Sequence, residues 1–188
     1  MLNEALLFLL DALLQPFAVL LLLRFHLQWL RAPLRNPLGE LIMTLTNFMV
    51  LRARRFIPAA HGFDSASLLL AFVVEVLYLV AVLWAQGMPL AGIPMFGLLA
   101  WTVVKLLKLS LYLLMGALFG QAVLSWVSPY SPVAGLLAAV THPFLAPLRR
   151  RIPPIGNIDL SVMVLLIACQ LILIVPLAWL ESMAMRLH

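Results

Sequence analysis

Apolar residues dominate four stretches of the chain, and shorter polar segments separate them. The first runs from Ala5 to Leu30, interrupted by Asp11 and Arg24, and the second from Ser65 to Gln86 with Glu75 inside it. The third runs from Phe96 to Val127 and carries Lys105 and Lys108; the fourth spans Leu160 to Leu180. A hydrocarbon core about 30 Å thick takes roughly 20 apolar residues in helix, because backbone polar groups must be satisfied within the segment. All four stretches reach that length, so the pattern predicts four membrane-spanning helices. Leu41 to Val50 and Val133 to Val140 are apolar but too short to cross, and read as short interfacial helices. Each follows a proline, Pro37 or Pro132, that is tolerated in a first helical turn.

Composition agrees. Of the 188 residues, 65% are hydrophobic and 10% charged, against roughly 45 to 50% and about 25% in soluble domains. A water-soluble globule and a disordered chain are both excluded. The net charge of +5 is too sparse to suggest nucleic acid, and fits orientation at a membrane surface. Cys169 is the single cysteine, so an intrachain disulfide and a thiolate metal cluster are excluded. A secretory signal peptide starts with positive charge; Glu4 and Asp11 before an overlong apolar run point to a retained first span.

Eight arginines lie between or beside the stretches: Arg31, Arg35, Arg52, Arg54 and Arg55 after the first, Arg149, Arg150 and Arg151 after the third. The connection from Gly87 to Met95 carries no charge. Basic loops stay cytoplasmic. Both Arg-rich hairpins are therefore expected inside, with the termini and the middle connection outside, in a bacterial inner membrane.

The two halves repeat at an offset of 95 residues from Pro37–Asp64 to Pro132–Asp159. Identical pairs include Thr46 and Thr141, Arg54 and Arg149, Arg55 and Arg150, Pro58 and Pro153, and Asp64 and Asp159. Upstream, Arg24 and Trp29 align with Gln121 and Trp126 if the first half holds two extra residues. The unit is span, hairpin, span, and residues 1–95 and 96–188 are two copies of it. An even number of spans per unit makes the repeats parallel, about an axis along the membrane normal. Neither Glu75 nor Lys108 belongs to the shared signature on this reading.

The second half reads Ser125-Trp126, Thr141-His142-Pro143, Pro147-Leu148-Arg149-Arg150, Ile152-Pro153-Pro154-Ile155-Gly156 and Asp159-Leu160-Ser161. That run resembles the signature of the YggT family of small bacterial membrane proteins, whose relatives include YlmG proteins and chloroplast factors. Gln121, Ser131 and Asn157 depart from the usual residues, as do Phe48 and Ala59 in the first half. The resemblance implies an integral membrane protein without established catalysis, linked in some bacteria to osmotic or ion tolerance. In other lineages it implies a link to division, nucleoid distribution or assembly of a membrane cytochrome.

Several residues are candidates for function. Asp64 and Asp159 precede spans, where a carboxylate caps the first turn and suits the positive helix end. Arg54, Arg55, Arg149, Arg150 and Arg151 sit where anionic headgroups lie, each such contact contributing about 1 kcal/mol. With Pro58 and Pro153, which stop the helix, they form a rigid edge for lipid or a partner. Arg24 and Gln121 are polar at one level of equivalent spans, and Trp29 and Trp126 suit interfacial anchors. Glu75 faces two candidate partners, Lys105 and Lys108, which share a helix face. An ion pair and a polar step in an ion path are both open there. His26, His61, His142 and His188 lack ligand spacing, so no metal site is expected. No nucleophile motif or phosphate loop occurs, so neither catalysis nor a cofactor is expected.

The expectation is an all-α membrane protein of four spans in two parallel repeats, a non-enzymatic accessory or adaptor in osmotic or ion homeostasis. An ion channel or transporter component and a scaffold for division or cytochrome assembly are the alternatives. Expected partners are membrane lipids and a membrane or cytoplasmic protein, with self-association into a homo-oligomer open and no direct contact with nucleic acid.

Overall fold

The computed structural model describes residues 2–57, 64–89, 94–152 and 159–186, and every regular element among them is helical. Helix α1 covers Leu2–Trp29, α2 Pro37–Ala53, α3 Ser65–Ala85, α4 Met95–Val127 and α5 Pro132–Arg149. The last stretch is α6 (Leu160–Ile172), a π segment (Leu173–Leu177) and α7 (Ala178–Arg186) in one continuous run. Helices α1, α3 and α4 and the composite Leu160–Arg186 are each long and apolar enough to cross a membrane. Together they fit a multi-pass membrane protein. At 1.5 Å per residue the 21 residues of α3 reach about 31 Å, one hydrocarbon thickness. Helices α1 and α4, with 28 and 33 residues, exceed it.

The two interfacial helices are longer than their apolar stretches. Helices α2 and α5 have 17 and 18 residues, because each starts at its proline and continues beyond the apolar stretch up to the arginine pairs. Both start as their prolines require. Asn36 accepts from the Gly39 amide at 2.9 Å and Ser131 from the Ala134 amide at 3.1 Å, with Pro37 and Pro132 in the first turn. Two extra residues lie between Trp29 and Asn36 relative to Trp126 and Ser131. They bring the Leu34 carbonyl so close to Gly39 that a Cβ there would lie 2.3 Å from its oxygen.

Helix ends close by local hydrogen bonds. Helix α3 terminates at Gly87, whose φ of 93° lets the Met88 amide reach the Leu83 carbonyl at 3.0 Å. Helix α1 ends the same way, with Ala32 donating to Leu27 at 2.9 Å, but the left-handed position is Arg31 at φ 51°. Pro176 lies in the π segment, where removal of a backbone donor is absorbed by the wider turn.

Helices α1 and α3 pack tightly through Ala18, Leu21 and Leu22 against Ala66, Ala71 and Val74. Small residues let these backbones approach, which is how membrane helices gain contact without a hydrophobic driving force. A second cluster, Leu27, Ile42, Ala117, Leu136 and Val140, joins both interfacial helices to α1 and α4. The third, Leu79, Leu83 and Leu98, closes α3 on α4 toward the other end. Aromatic residues mark both ends. Trp29, Trp126 and Tyr130 are exposed at the hairpin end, and Trp84 and Trp179, themselves 95 residues apart, at the opposite end.

Candidate functional site

At the hairpin end of the first repeat, α1, α2 and α3 converge on one carboxylate. Asp64 caps α3 by accepting from the Ser67 amide at 3.4 Å and its hydroxyl at 2.5 Å. Arg54, just past the end of α2, approaches the same carboxylate with Nη2 at 3.0 Å and Nε at 3.3 Å. Arg24 on α1 places Nε 3.3 Å from Asp64 Oδ2, an ion pair rather than a well-aimed hydrogen bond. The Arg24 side chain is fully buried and that of Asp64 nearly so. Arg24 Nη1 donates to Thr46 Oγ1 at 2.7 Å and Asn47 Oδ1 at 2.9 Å, and Thr46 donates to the Ile42 carbonyl at 2.6 Å. Arg54 also donates to Gln28 at 3.1 Å. Two guanidiniums thus share one carboxylate. Burial, the largest influence on Asp64, raises its pKa, but hydrogen bonds from Arg54 and Ser67 and the charges of Arg54 and Arg24 outweigh it. The carboxyl is held below its ordinary value.

The second repeat builds a reduced version. Asp159 caps α6 by accepting from the Ser161 amide at 3.0 Å, and Arg149 pairs with it at 2.7 Å. Thr141 hydrogen-bonds to the Gln121 side-chain amide and donates to the Leu137 carbonyl at 2.8 Å. Gln121 takes the Arg24 place at Thr141 but does not link it to Asp159. This clamp is more open, with Arg149 and Asp159 side chains 41% and 32% exposed against 35% and 1% for Arg54 and Asp64.

In both hairpins, therefore, the first arginine of the pair turns back to the helix-capping aspartate. Arg55, Arg150 and Arg151 are exposed, as are Arg52 and Phe56 beside them. Pro58, His61 and Pro153 lie outside the described residues, as does His188. Trp29 and Trp126 are both at the surface, Trp126 the more exposed.

Inside the spans the two lysines of α4 separate. Lys105 pairs with the fully buried Glu75 at 3.0 Å and lies 4.4 Å from the centre of the Tyr78 ring. Gln15 donates to both Glu75 oxygens at 3.3 and 3.4 Å, and Tyr78 donates to Asp11 at 2.6 Å. Lys108 instead pairs with Glu181 on α7, which also accepts from Trp101 at 3.2 Å. The expectation that either lysine reaches Glu75 holds for Lys105 alone. One helical turn rotates Lys108 toward the last span.

The expectation that Glu75 and Lys108 lie outside the repeat is corrected by the sequence beyond the hairpins. The 95-residue offset continues through the second span and sets Gln170 against Glu75. The offset of 97 that aligns Arg24 with Gln121 sets Asp11 against Lys108. Polar positions are shared, while their charges are not. Sequence reasoning missed Thr46, Asn47, Gln28, Gln15, Tyr78 and Glu181 as members of these networks. Thr46 was detectable as one of the identical pairs; the others have no signal in a single chain.

Two apolar cavities, about 410 and 620 Å³, flank the α1 and α4 contact. His26, Trp29, Leu107 and Ser110 line both, and no carboxylate, lysine or arginine lines either. Among the described residues no cluster of His, Cys, Asp and Glu could hold a metal ion.

A known family of sequences matches most of this chain. The sequence model of CCB3/YggT matches residues 3–85 and 100–180. The chain belongs to the CCB3/YggT family. It is similar to the uncharacterized protein YggT of Escherichia coli K12, 34% identical over 168 residues, covering 88% of this chain and 85% of that one. An uncharacterized protein of Pseudomonas aeruginosa is 35% identical over 173 residues, covering 91% and 87% of the two chains. One from Vibrio alginolyticus is 36% identical over 165 residues, covering 87% and 88%. No solved structure matches this CCB3/YggT chain.

Proposed function

We propose that this CCB3/YggT protein is a non-catalytic accessory protein of the bacterial inner membrane, with both arginine hairpins cytoplasmic and both termini outside. Its hairpins present Arg55, Arg150 and Arg151 to anionic headgroups or to a protein partner, and through that contact it influences osmotic or ion homeostasis. The observation that carries this reading is the division of labour inside each arginine pair. Arg54 and Arg149 are held by Asp64 and Asp159, and the next residue in each hairpin is left exposed. A fixed neighbour restricts where the exposed guanidinium can go, and a pre-organised donor loses less entropy on binding than a free one.

Charge inside the spans supports an accessory role over conduction. Glu75 and Glu181 each meet a lysine, so the pairs are neutral staples holding α4 to its neighbours. The test is complementation of a deletion strain under osmotic upshift. Replacing Arg55, Arg150 and Arg151 by Gln should abolish rescue while the protein stays in the membrane at normal abundance. Full rescue by that triple variant would refute the reading.

A further inference from the structure

The face of α3 that meets α4 is made by Glu75, Leu79 and Leu83, all buried. Advancing the first two by the repeat offset gives Gln170 and Ile174 on α6 and the π segment, and both are exposed, Ile174 by 59%. The face of α4 that meets α3 includes Lys105 and Leu106. Their counterparts on α1, at the 97-residue offset, are Phe8 and Leu9, and both are exposed, Phe8 by 70% and Leu9 by 53% against 8% for Leu106. Each half of the internal seam therefore has an equivalent half elsewhere on the chain, and both equivalents are open.

Exposed apolar residues are ordinary on a lipid-facing surface. Gln170 is not. It lies near the middle of a span, and its side-chain amide has no hydrogen-bond partner among the described residues. An unsatisfied polar group in hydrocarbon costs several kcal/mol, and membrane helices usually meet that cost by bonding across to a neighbour. Asp11, also exposed within α1, uses one carboxylate oxygen for Tyr78 and has lone pairs to spare.

We infer that the α3–α4 seam inside one chain is repeated between chains, with α6 and the π segment of one copy seated on α1 of a second copy, head to tail. The charges fit this arrangement. Where the internal seam has Glu75 opposite Lys105, the intermolecular seam has Gln170 opposite Phe8, so both charges drop out together and neither is buried alone. Asp11 stands one turn beyond Phe8, where its counterpart Lys108 turns from the internal seam toward the last span; the Gln170 amide is instead covered by packing against the second copy's α1, away from lipid. Copies joined this way share one orientation in the membrane. A head-to-tail contact about an axis along the membrane normal closes into a ring when the rotation per copy divides a full turn.

The test uses two differently tagged full-length populations in a Cys169→Ala background, one carrying Phe8→Cys and the other Gln170→Cys, coexpressed and oxidised in native membranes. A disulfide-linked species carrying both tags is expected, and it should vanish when either cysteine is omitted. Leu79→Cys with Leu98→Cys in one chain serves as the control for oxidation across the internal seam. Linkage of Gln170→Cys copies only to each other would overturn the head-to-tail order in favour of a two-fold contact. Failure of the mixed pair while the control forms would overturn the seam itself. Native mass spectrometry of the unmodified protein in lipid nanodiscs gives an independent reading: a multimer is expected, and a monomer alone would refute the inference.

Discussion

Arg24, fully buried on the first span, lies 3.3 Å from Asp64, which starts the second. The pair ties the two most extensively packed helices together at the hairpin end, and Arg54 closes the same carboxylate from the interfacial helix. Removing one partner of a buried pair leaves an uncompensated charge and costs about 3–5 kcal/mol. Asp64→Asn, which strands two guanidiniums, is therefore expected to destabilise the protein by about that amount, measured by denaturant unfolding in detergent. Asp159→Asn, at the more open clamp, should cost under about 1 kcal/mol, as exposed pairs do.

Acid should act at the same place. A carboxyl with a depressed folded pKa contributes stability that is complete above its ordinary unfolded value, about 3.9, and is lost as pH falls through the lower folded value. Thermal stability in detergent is expected to drop below about pH 4, and the Asp64→Asn variant should show a flatter profile over that window.

Glu75 and Lys105 offer a test of whether a staple or a conduit occupies the α3–α4 seam. Lys105→Met alone leaves Glu75 buried with only Gln15 to bond it, and a strong loss of folded protein is expected. Combined with Glu75→Leu, the loss should shrink, because two matched apolar residues replace a pair whose desolvation was costly. Size-exclusion recovery from detergent extracts measures both. A double variant no better than the single would show that Glu75 is needed for more than charge balance.

Gly39 is expected to resist any side chain. A Cβ placed 2.3 Å from the Leu34 oxygen meets backbone rather than a flexible tip, so Gly39→Ala must shift the loop before α2. A loss of about 1–3 kcal/mol is expected, as for overpacking elsewhere. Gly135→Ala, with open space around it, is the control and should be silent in the same thermal assay.

Most of the architecture was legible because a bilayer imposes a length. The four apolar runs ended within a few residues of the helices, and Pro37, Pro132, Asp64 and Asp159 marked the starts. The interfacial helices were underestimated because apolar length measures the buried stripe, whereas the helix itself continues through residues such as Leu51, Arg52 and Ala53. The site was legible only in part. Asp64 as a cap follows from position, but its bonds to Arg24 and Arg54 depend on how α1, α2 and α3 cross, which no local pattern encodes. The choice of Lys105 over Lys108 for Glu75 likewise depends on one turn of helix rotation. Gln170 was hidden for a different reason. Its meaning lies in a comparison of exposure with Glu75, and burial is a property of the folded molecule.

Four of the five tryptophans stand at two heights, Trp29 and Trp126 at one and Trp84 and Trp179 at the other. Indole rings settle at the headgroup level, so these four act as floats on both surfaces of a sheet about as thick as α3 is long. A membrane stretched thin by swelling brings its two surfaces closer together than the floats, and the helices must then tilt or pull the lipid with them. Such tilting would move the hairpin arginines relative to the headgroups.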